Sequence, residues 1–328
     1  MRKKLSVIVL IISIPLSIII GAVLQGAKIF PYDELRNVFR FISGKPPVFS
    51  DTWSIGIFEG DSPFTIKDSP NVKNPVLTAE HVTDIKCSFV ADPFIVKEDS
   101  MFYMFFEAFN IESDHADFGL AESKDGYNWT YKQIVLDEEY HLSYPYLFKH
   151  DGEYYMIPET LEDYNVLLYR AVEFPTRWEL DTVLVEGFRF IDASIVYYND
   201  YWWIFASLGH ENDDLYLFYS KELKGEWKLH KKRPLIRKDP NISRPAGNLL
   251  VIDGKLYRFA QDHYSNHGIQ VFAFEVTEIT PDSYKDKIVS EEPIISGSGK
   301  GWNTYGMHHI SAIQLGEKKW IAAVDGVR

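Results

Sequence analysis

A repeat of 49 residues constrains this chain more than any other feature. Trp129, Trp178 and Trp227 stand at that interval, and an aliphatic residue follows each of them: Val135, Val183 and Leu235. A period of about 50 residues marks supersecondary units that cannot bury their apolar faces alone, as in solenoids or propeller blades. Eight residues beyond Leu136, Leu184 and Ile236 come Tyr144, Asp192 and Arg244. Each opens an alternating apolar strand, then a polar turn, then an aromatic strand, for example Tyr144-Pro-Tyr-Leu-Phe148 and Tyr154-Tyr-Met-Ile-Pro-Glu159. That is a β-hairpin pattern.

The same unit begins at Asp92 and again near His308 and His309, so five starts predict five blades. The last unit ends after two strands at Arg328. Near the front, Trp53-Ser-Ile-Gly-Ile-Phe-Glu59 resembles the third strand of a blade, Phe118-Gly-Leu-Ala-Glu-Ser123. An N-terminal strand that completes the C-terminal blade closes the ring and leaves no open sheet edge, which a solenoid does not need. The expected fold is all-β, a five-bladed β-propeller over 49–328, preceded by an N-terminal transmembrane helix. Arg2, Lys3 and Lys4 precede an apolar run from Leu5 to Leu24, long enough to cross a hydrocarbon layer of ~30 Å. Residues 1–30 read as a cytoplasmic tip and single-pass membrane anchor, with a cleavable signal peptide as the rival reading. Residues 31–48 read as a linker. The positive-inside rule puts the propeller on the extracytoplasmic or lumenal side.

A formal charge of -13 offers no basic face to polyanions, so nucleic acid is not an expected partner. Cys87 is the only cysteine, which rules out an intrachain disulfide and a cysteine metal cluster. No ligand spacing argues for a metal, and no cofactor is expected.

In a propeller the first strand of every blade lines the channel, and equivalent starting residues form a ring at one mouth. That ring is Asp92, Tyr144, Asp192, Arg244 and His308 or His309. Folding each hairpin about its polar turn puts Glu107 beside Asp92, Glu159 beside Tyr144, Ser207 beside Asp192 and Gln261 beside Arg244. Asp92 by itself has a simpler reading, because Asp-Pro is a frequent turn pair. The matching register of Asp192, together with Glu107 and Glu159, favours a gathered polar site. Neighbouring like charges raise one another's pKa, and Arg244 and the histidines hold others ionised, which is how a site separates an acid from a base.

Ala91-Asp92-Pro93 and Ile191-Asp192-Ala193-Ser194 resemble blade openings of the five-bladed glycosidase clan of arabinanases, β-xylosidases, invertases and levansucrases. The resemblance implies a general base or nucleophile at Asp92 and a substrate-orienting, acid-tuning role at Asp192. It also departs from the clan: the place of the general-acid Glu in blade four is held by Ser243-Arg244-Pro245-Ala246. More closely, His141-Leu-Ser-Tyr-Pro-Tyr146, Leu168-Tyr-Arg-Ala-Val-Glu-Phe-Pro175, Ser243-Arg-Pro-Ala-Gly247 and Arg258-Phe-Ala-Gln-Asp262 resemble the N-terminal domain of plant glucosamine inositolphosphorylceramide transferases and its stand-alone bacterial relatives. The expected function is therefore a membrane-anchored glycoside hydrolase or transglycosylase acting on a cell-surface or lipid-linked glycan. Asp92 and Asp192 would be catalytic, with Glu159 or Glu107 in place of the missing acid. Tyr144, Arg244, Gln261, Asp262, His308 and His309 are the expected substrate-binding residues. The alternative is a non-catalytic glycan-binding or accessory domain that supports a glycosyltransferase partner.

Overall fold

Tight turns set the hairpins. Asp151-Gly152, Asn199-Asp200 and Asp253-Gly254 each have both residues at positive φ, between 49° and 85°. This is the pair of left-handed residues that a two-residue hairpin loop requires. In the computed structural model, which describes residues 52–160, 163–208, 213–264 and 268–328, these turns join the first and second strands of three blades.

Five antiparallel sheets follow one another along the chain. Blade 1 has strands Cys87–Glu98, Met101–Asn110, His115–Ser123 and Thr130–Leu136. Blade 2 has Ser143–His150, Glu153–Glu159, Asn165–Glu173 and Arg177–Glu186, and blade 3 has Ile191–Tyr198, Tyr201–Leu208, Asp214–Ser220 and Lys228–Leu229. The inner strand of blade 4 is broken into Arg244–Pro245 and Leu250–Ile252, and Lys255–Asp262, Gln270–Ile279 and Tyr284–Ile288 follow it. Blade 5 combines Ile310–Gly316 and Lys319–Val327 from the C-terminal end with Trp53–Gly60 and Lys67–Asp68 from the N-terminal end. Trp53–Gly60 pairs with Lys319–Val327 from Trp53↔Val327 to Gly60↔Trp320, so the expected closure is present. Among the described residues the only helical pieces are 3-10 turns at Ala79–His81 and Gly301–Asn303, and no helix is long and apolar enough to cross a membrane. The expected anchor (1–30) and the whole of the linker (31–48) lie outside the described residues.

Apolar side chains fill the spaces between blades. Phe105, Tyr154 and Trp178 pack between blades 1 and 2, while Phe259, Val271, Ile310 and Val324 pack between blades 4 and 5. The axis is filled as well. Phe94, Tyr144 and His309 stack edge to face, with ring centroids 4.6–5.3 Å apart. Tyr144 is wholly buried, and its hydroxyl lies 2.9 Å from the Gly247 carbonyl and from Ser194 Oγ. The Gly247 amide donates back to that hydroxyl at 2.7 Å. Gly247 has φ of +133°, and a Cβ there would lie 1.7 Å from the carbonyl oxygen of Ile310, to which it forms a parallel bridge. Only glycine fits. The loop over Gly301–Met307 seats Trp302 against the glycines of blade 5, where a Cβ at Gly56 or Gly326 would meet its ring at 2.6–2.7 Å.

The hairpin registers differ from the sequence expectation by one residue in three blades. Glu107 pairs with Ala91, Glu159 with Ser143 and Ser207 with Ile191. In each of these blades a β-bulge follows the pair, and the extra residue sits at positive φ: Asp92 at 48°, Tyr144 at 52° and Asp192 at 52°. A bulge bends the strand and re-aims its side chain, as is common next to active sites. In blade 4 the expected pair Arg244↔Gln261 is present.

Candidate functional site

The bulges turn Asp92 and Asp192 into two half-sites of the same design. In each, the left-handed Asp donates its backbone N–H to a carboxylate on the second strand of the preceding blade. Asp92 donates to Asp325 Oδ2 at 3.1 Å, and Asp192 donates to Glu159 Oε2 at 2.8 Å. A cation then sits against each pair.

In the first half-site Asp325 also accepts the backbone N–H groups of His308 and His309, at 3.1 and 3.0 Å. Its Oδ2 lies 2.7 Å from His308 Nδ1. Asp92 Oδ1 lies 3.4 Å from His309 Nδ1 and 3.9 Å from His308 Nε2, so both histidines of the pair reach it. Trp53 stacks on His308 at 4.2 Å. Burial opposes a charge on His308, but Asp325 by charge and hydrogen bond, and then Asp92, outweigh it and push its pKa up to about 9. Burial likewise opposes a charge on Asp92. The hydrogen bond from His309 and the positive charges of His308, His309 and Arg244 prevail and hold its carboxyl well below the usual range.

In the second half-site Arg244 Nε donates to Asp192 Oδ2 at 2.5 Å, and Gln261 Nε2 donates to the same oxygen at 3.0 Å. Gln261 also holds the Pro245 carbonyl at 2.9 Å. Burial disfavours charge on Arg244, yet Asp192 and Glu159 keep it protonated, with its pKa raised. Glu159 is pushed far above the carboxylate range by burial and by the charge of Asp192, with Arg244 opposing. Arg258, buried beneath this blade, donates from Nη1 to the Ile242 carbonyl at 2.9 Å and ion-pairs with Asp286 at 2.7 Å, which fixes the segment leading into Arg244.

Glu107 stands beside the first half-site. Burial raises its pKa, the hydrogen bond from His141 opposes that, and the charge of Asp92 adds to it. His141 Nε2 lies 3.3 Å from Glu107 Oε1. Asp262, the residue after Gln261 on the same strand, accepts from Gln270 Nε2 at 2.9 Å and from the Tyr264 amide at 3.1 Å. Asp92, Asp192, Glu107, Glu159, Arg244, Gln261, Asp262 and both histidines are all buried polar groups. Tyr144 lies deeper, in the aromatic plug. Three participants are absent from the expected site residues: Asp325, Trp53 and His141. Asp325 had a signal, since Ile310 pairs with Val324 and the same hairpin arithmetic carries His309 to Asp325.

Asp92, His308 and Asp325 place one ligand atom each within 4.8 Å of one another, a spacing that suits a metal ion. Asp325 and Asp92 push the pKa of His308 up to about 9, so a metal binding there would have to displace a proton.

The architecture matches solved glycosidase structures. The catalytic domain of Coprinopsis cinerea GH62 alpha-L-arabinofuranosidase superposes with a TM-score of 0.56 at 13% identity, covering 84% of this chain and 97% of that one. An exo-beta-1,3-galactanase from Clostridium thermocellum gives 0.54 at 16% identity, covering 64% and 51%. At such identities the likeness is one of fold. In sequence, glucosamine inositolphosphorylceramide transferase 1 of Oryza sativa subsp. japonica is 36% identical over 299 residues, which is 84% of this chain and 40% of that protein. The Arabidopsis thaliana protein of the same name is 35% identical, with coverage of 84% and 39%. The chain thus spans about two fifths of the length of these curated relatives. The family profile described as glucosamine inositolphosphorylceramide transferase 1, N-terminal, matches residues 49–327, and the chain belongs to that family.

Proposed function

We propose that this propeller is a carbohydrate-active domain of the glycoside hydrolase or transglycosylase kind, tethered by residues 5–24 and facing the extracytoplasmic or lumenal side. Its substrate is a cell-surface glycan or a glycolipid, the class that the plant relatives' name points to. The observation that carries this reading is the opposite push on neighbouring carboxyls at one mouth. Asp92 is held ionised by its histidines and Arg244, while the carboxyl pKa values of Glu107 and Glu159 are raised by burial and by the charge beside each. Groups whose environments drive their pKa values apart are suited to acid and base roles. Asp92 activates water or attacks the sugar, Glu107 or Glu159 donates the proton, and Asp192 orients the ring. Arg244, Gln261, Asp262 and the histidines make the polar contacts.

The test is sugar release from a panel of cell-envelope glycans by the full chain, compared with Asp92→Asn and Glu107→Gln. Loss of general acid–base catalysis lowers the rate by about 10²–10⁴-fold. Equal release by all three proteins, or none by any, removes the catalytic reading.

A second reading, a non-catalytic glycan-binding domain beside a glycosyltransferase, is favoured by one observation: Asp192 and Glu159 are already engaged by Arg244, Gln261 and a backbone amide. Glycan binding in calorimetry that survives Asp92→Asn, with no turnover, supports it.

A further inference from the structure

A second cluster of metal-ligating side chains lies on blade 1, outside the channel mouth. His115 and Asp117 open its third strand, and Asp137 follows its fourth. His115 Nε2 is 3.4 Å from Asp117 Oδ1 and 3.6 Å from Asp137 Oδ1, and the three ligand atoms all lie within 4.8 Å of one another. Asp117 is 1% exposed. Its Oδ1 and His115 Nε2 are both buried and meet as an ion pair outside hydrogen-bond geometry. Buried polar atoms normally find partners, because leaving one unpaired costs roughly 1–3 kcal/mol. Here the contacts within the cluster, 3.4 Å to Asp117 and 3.6 Å to Asp137, are ion pairs and not well-formed hydrogen bonds.

We propose that His115 Nε2, Asp117 Oδ1 and Asp137 Oδ1 bind a divalent first-row metal ion of the zinc type. A tetrahedral ion with N and O ligands at about 2.0–2.2 Å has ligand–ligand edges of roughly 3.3–3.6 Å. The two His115 separations match those edges. One imidazole with two carboxylates suits such an ion better than calcium or magnesium, which take oxygen ligands alone. The outer support is in place, because Asn110 Nδ2 donates to Asp117 Oδ2 at 3.3 Å and orients the carboxylate. Three protein ligands leave a fourth position for water. The ion ties Asp137 to the third strand, and the segment beyond Asp137 carries His141, whose Nδ1 accepts the Ala116 amide at 3.2 Å while Nε2 faces Glu107. This site therefore fixes the approach to the channel mouth from one strand further out.

The test is calorimetric titration of Zn²⁺ into the full chain in detergent after chelator treatment. The expected result is one saturable equivalent with a rise in melting temperature. Asp137→Asn alters an exposed side chain and so keeps the fold; it and His115→Gln should each weaken binding about tenfold or more. Cys87→Ser should leave binding unchanged, since burial pushes that thiol up to about 12 and its Sγ is spent on the Phe89 carbonyl. Absence of saturable binding overturns the site. Binding that is indifferent to both Asp137→Asn and His115→Gln, or that is lost in Cys87→Ser, also overturns it.

Discussion

The two half-sites at the mouth share a backbone plan and differ in where the proton sits. Around Asp92 the neutralising cation is an imidazole, His308, whose proton is held by Asp325 and Asp92. Around Asp192 it is a guanidinium, Arg244, which stays charged throughout, and the neighbouring carboxyl whose pKa is raised is Glu159. The same left-handed Asp, with its amide on a carboxylate from the preceding blade, thus serves two electrostatic designs. One half-site holds its key carboxylate ionised beside a titratable base. The other locks its carboxylate to a permanent charge. The first can exchange a proton as the pH changes and the second cannot.

The largest effect should come from breaking the permanent pair. Arg244→Ala leaves Asp192 buried without its cation, and removing one partner of a buried ion pair costs about 3–5 kcal/mol. Denaturant unfolding measures it. Adding Asp192→Asn removes the stranded charge and should restore part of the loss. A double variant no more stable than the single one would mean that Arg244 does not act through Asp192.

The titratable half-site gives the next effect. His308 binds a proton in the folded state up to about 9, against an ordinary value of 6.5. Its stabilisation is complete below 6.5 and is lost as pH rises through 9. The shift corresponds to on the order of 3 kcal/mol. Unfolding followed from pH 6 to pH 10 should therefore show a fall in stability that His308→Gln flattens. Glu159, with a raised carboxyl pKa, loses its own contribution over a range that begins near 4.5, but both proteins share that slope. If the variant and the parent keep parallel curves across 6.5–9, the proton is not on His308.

Much of this comparison can be read from the sequence, and the gaps have physical causes. The 49-residue period, the aromatic hairpins and the orphan strand at Trp53–Gly60 specify five blades and their closure, because period and alternation are local signals. The ring positions follow from the same register. The one-residue bulge at Asp92, Tyr144 and Asp192 is a tertiary feature. Pro93 and Pro145, which cannot donate to a ladder, hint at it in two blades, whereas Ala193 gives no hint in the third. That Arg244 supplies positive charge is legible from its type. Its choice of Asp192 depends on the spacing between blades 3 and 4, which no single blade encodes. Asp325 follows from hairpin arithmetic once His309 is taken as the reference residue, and Trp53 becomes visible as a site neighbour only after the ring closes and brings the N-terminal strand beside His308.

That closure supplies the finest test of the comparison. Trp53 stacks on His308 at 4.2 Å with an interplanar angle of 18°. A charged imidazole over an indole gains cation–π energy, about 1–2 kcal/mol in a desolvated setting, and a neutral imidazole does not. Trp53→Leu removes packing at every pH but the cation–π part only while His308 is protonated. Its destabilisation should therefore be about 1 kcal/mol larger at pH 6 than at pH 10. In a His308→Gln background the difference should vanish, because the ring then faces an uncharged amide at both pH values. An equal loss at both pH values in the parent protein would assign the stacking to packing alone and leave Asp325 and Asp92 as the whole source of the raised His308 pKa.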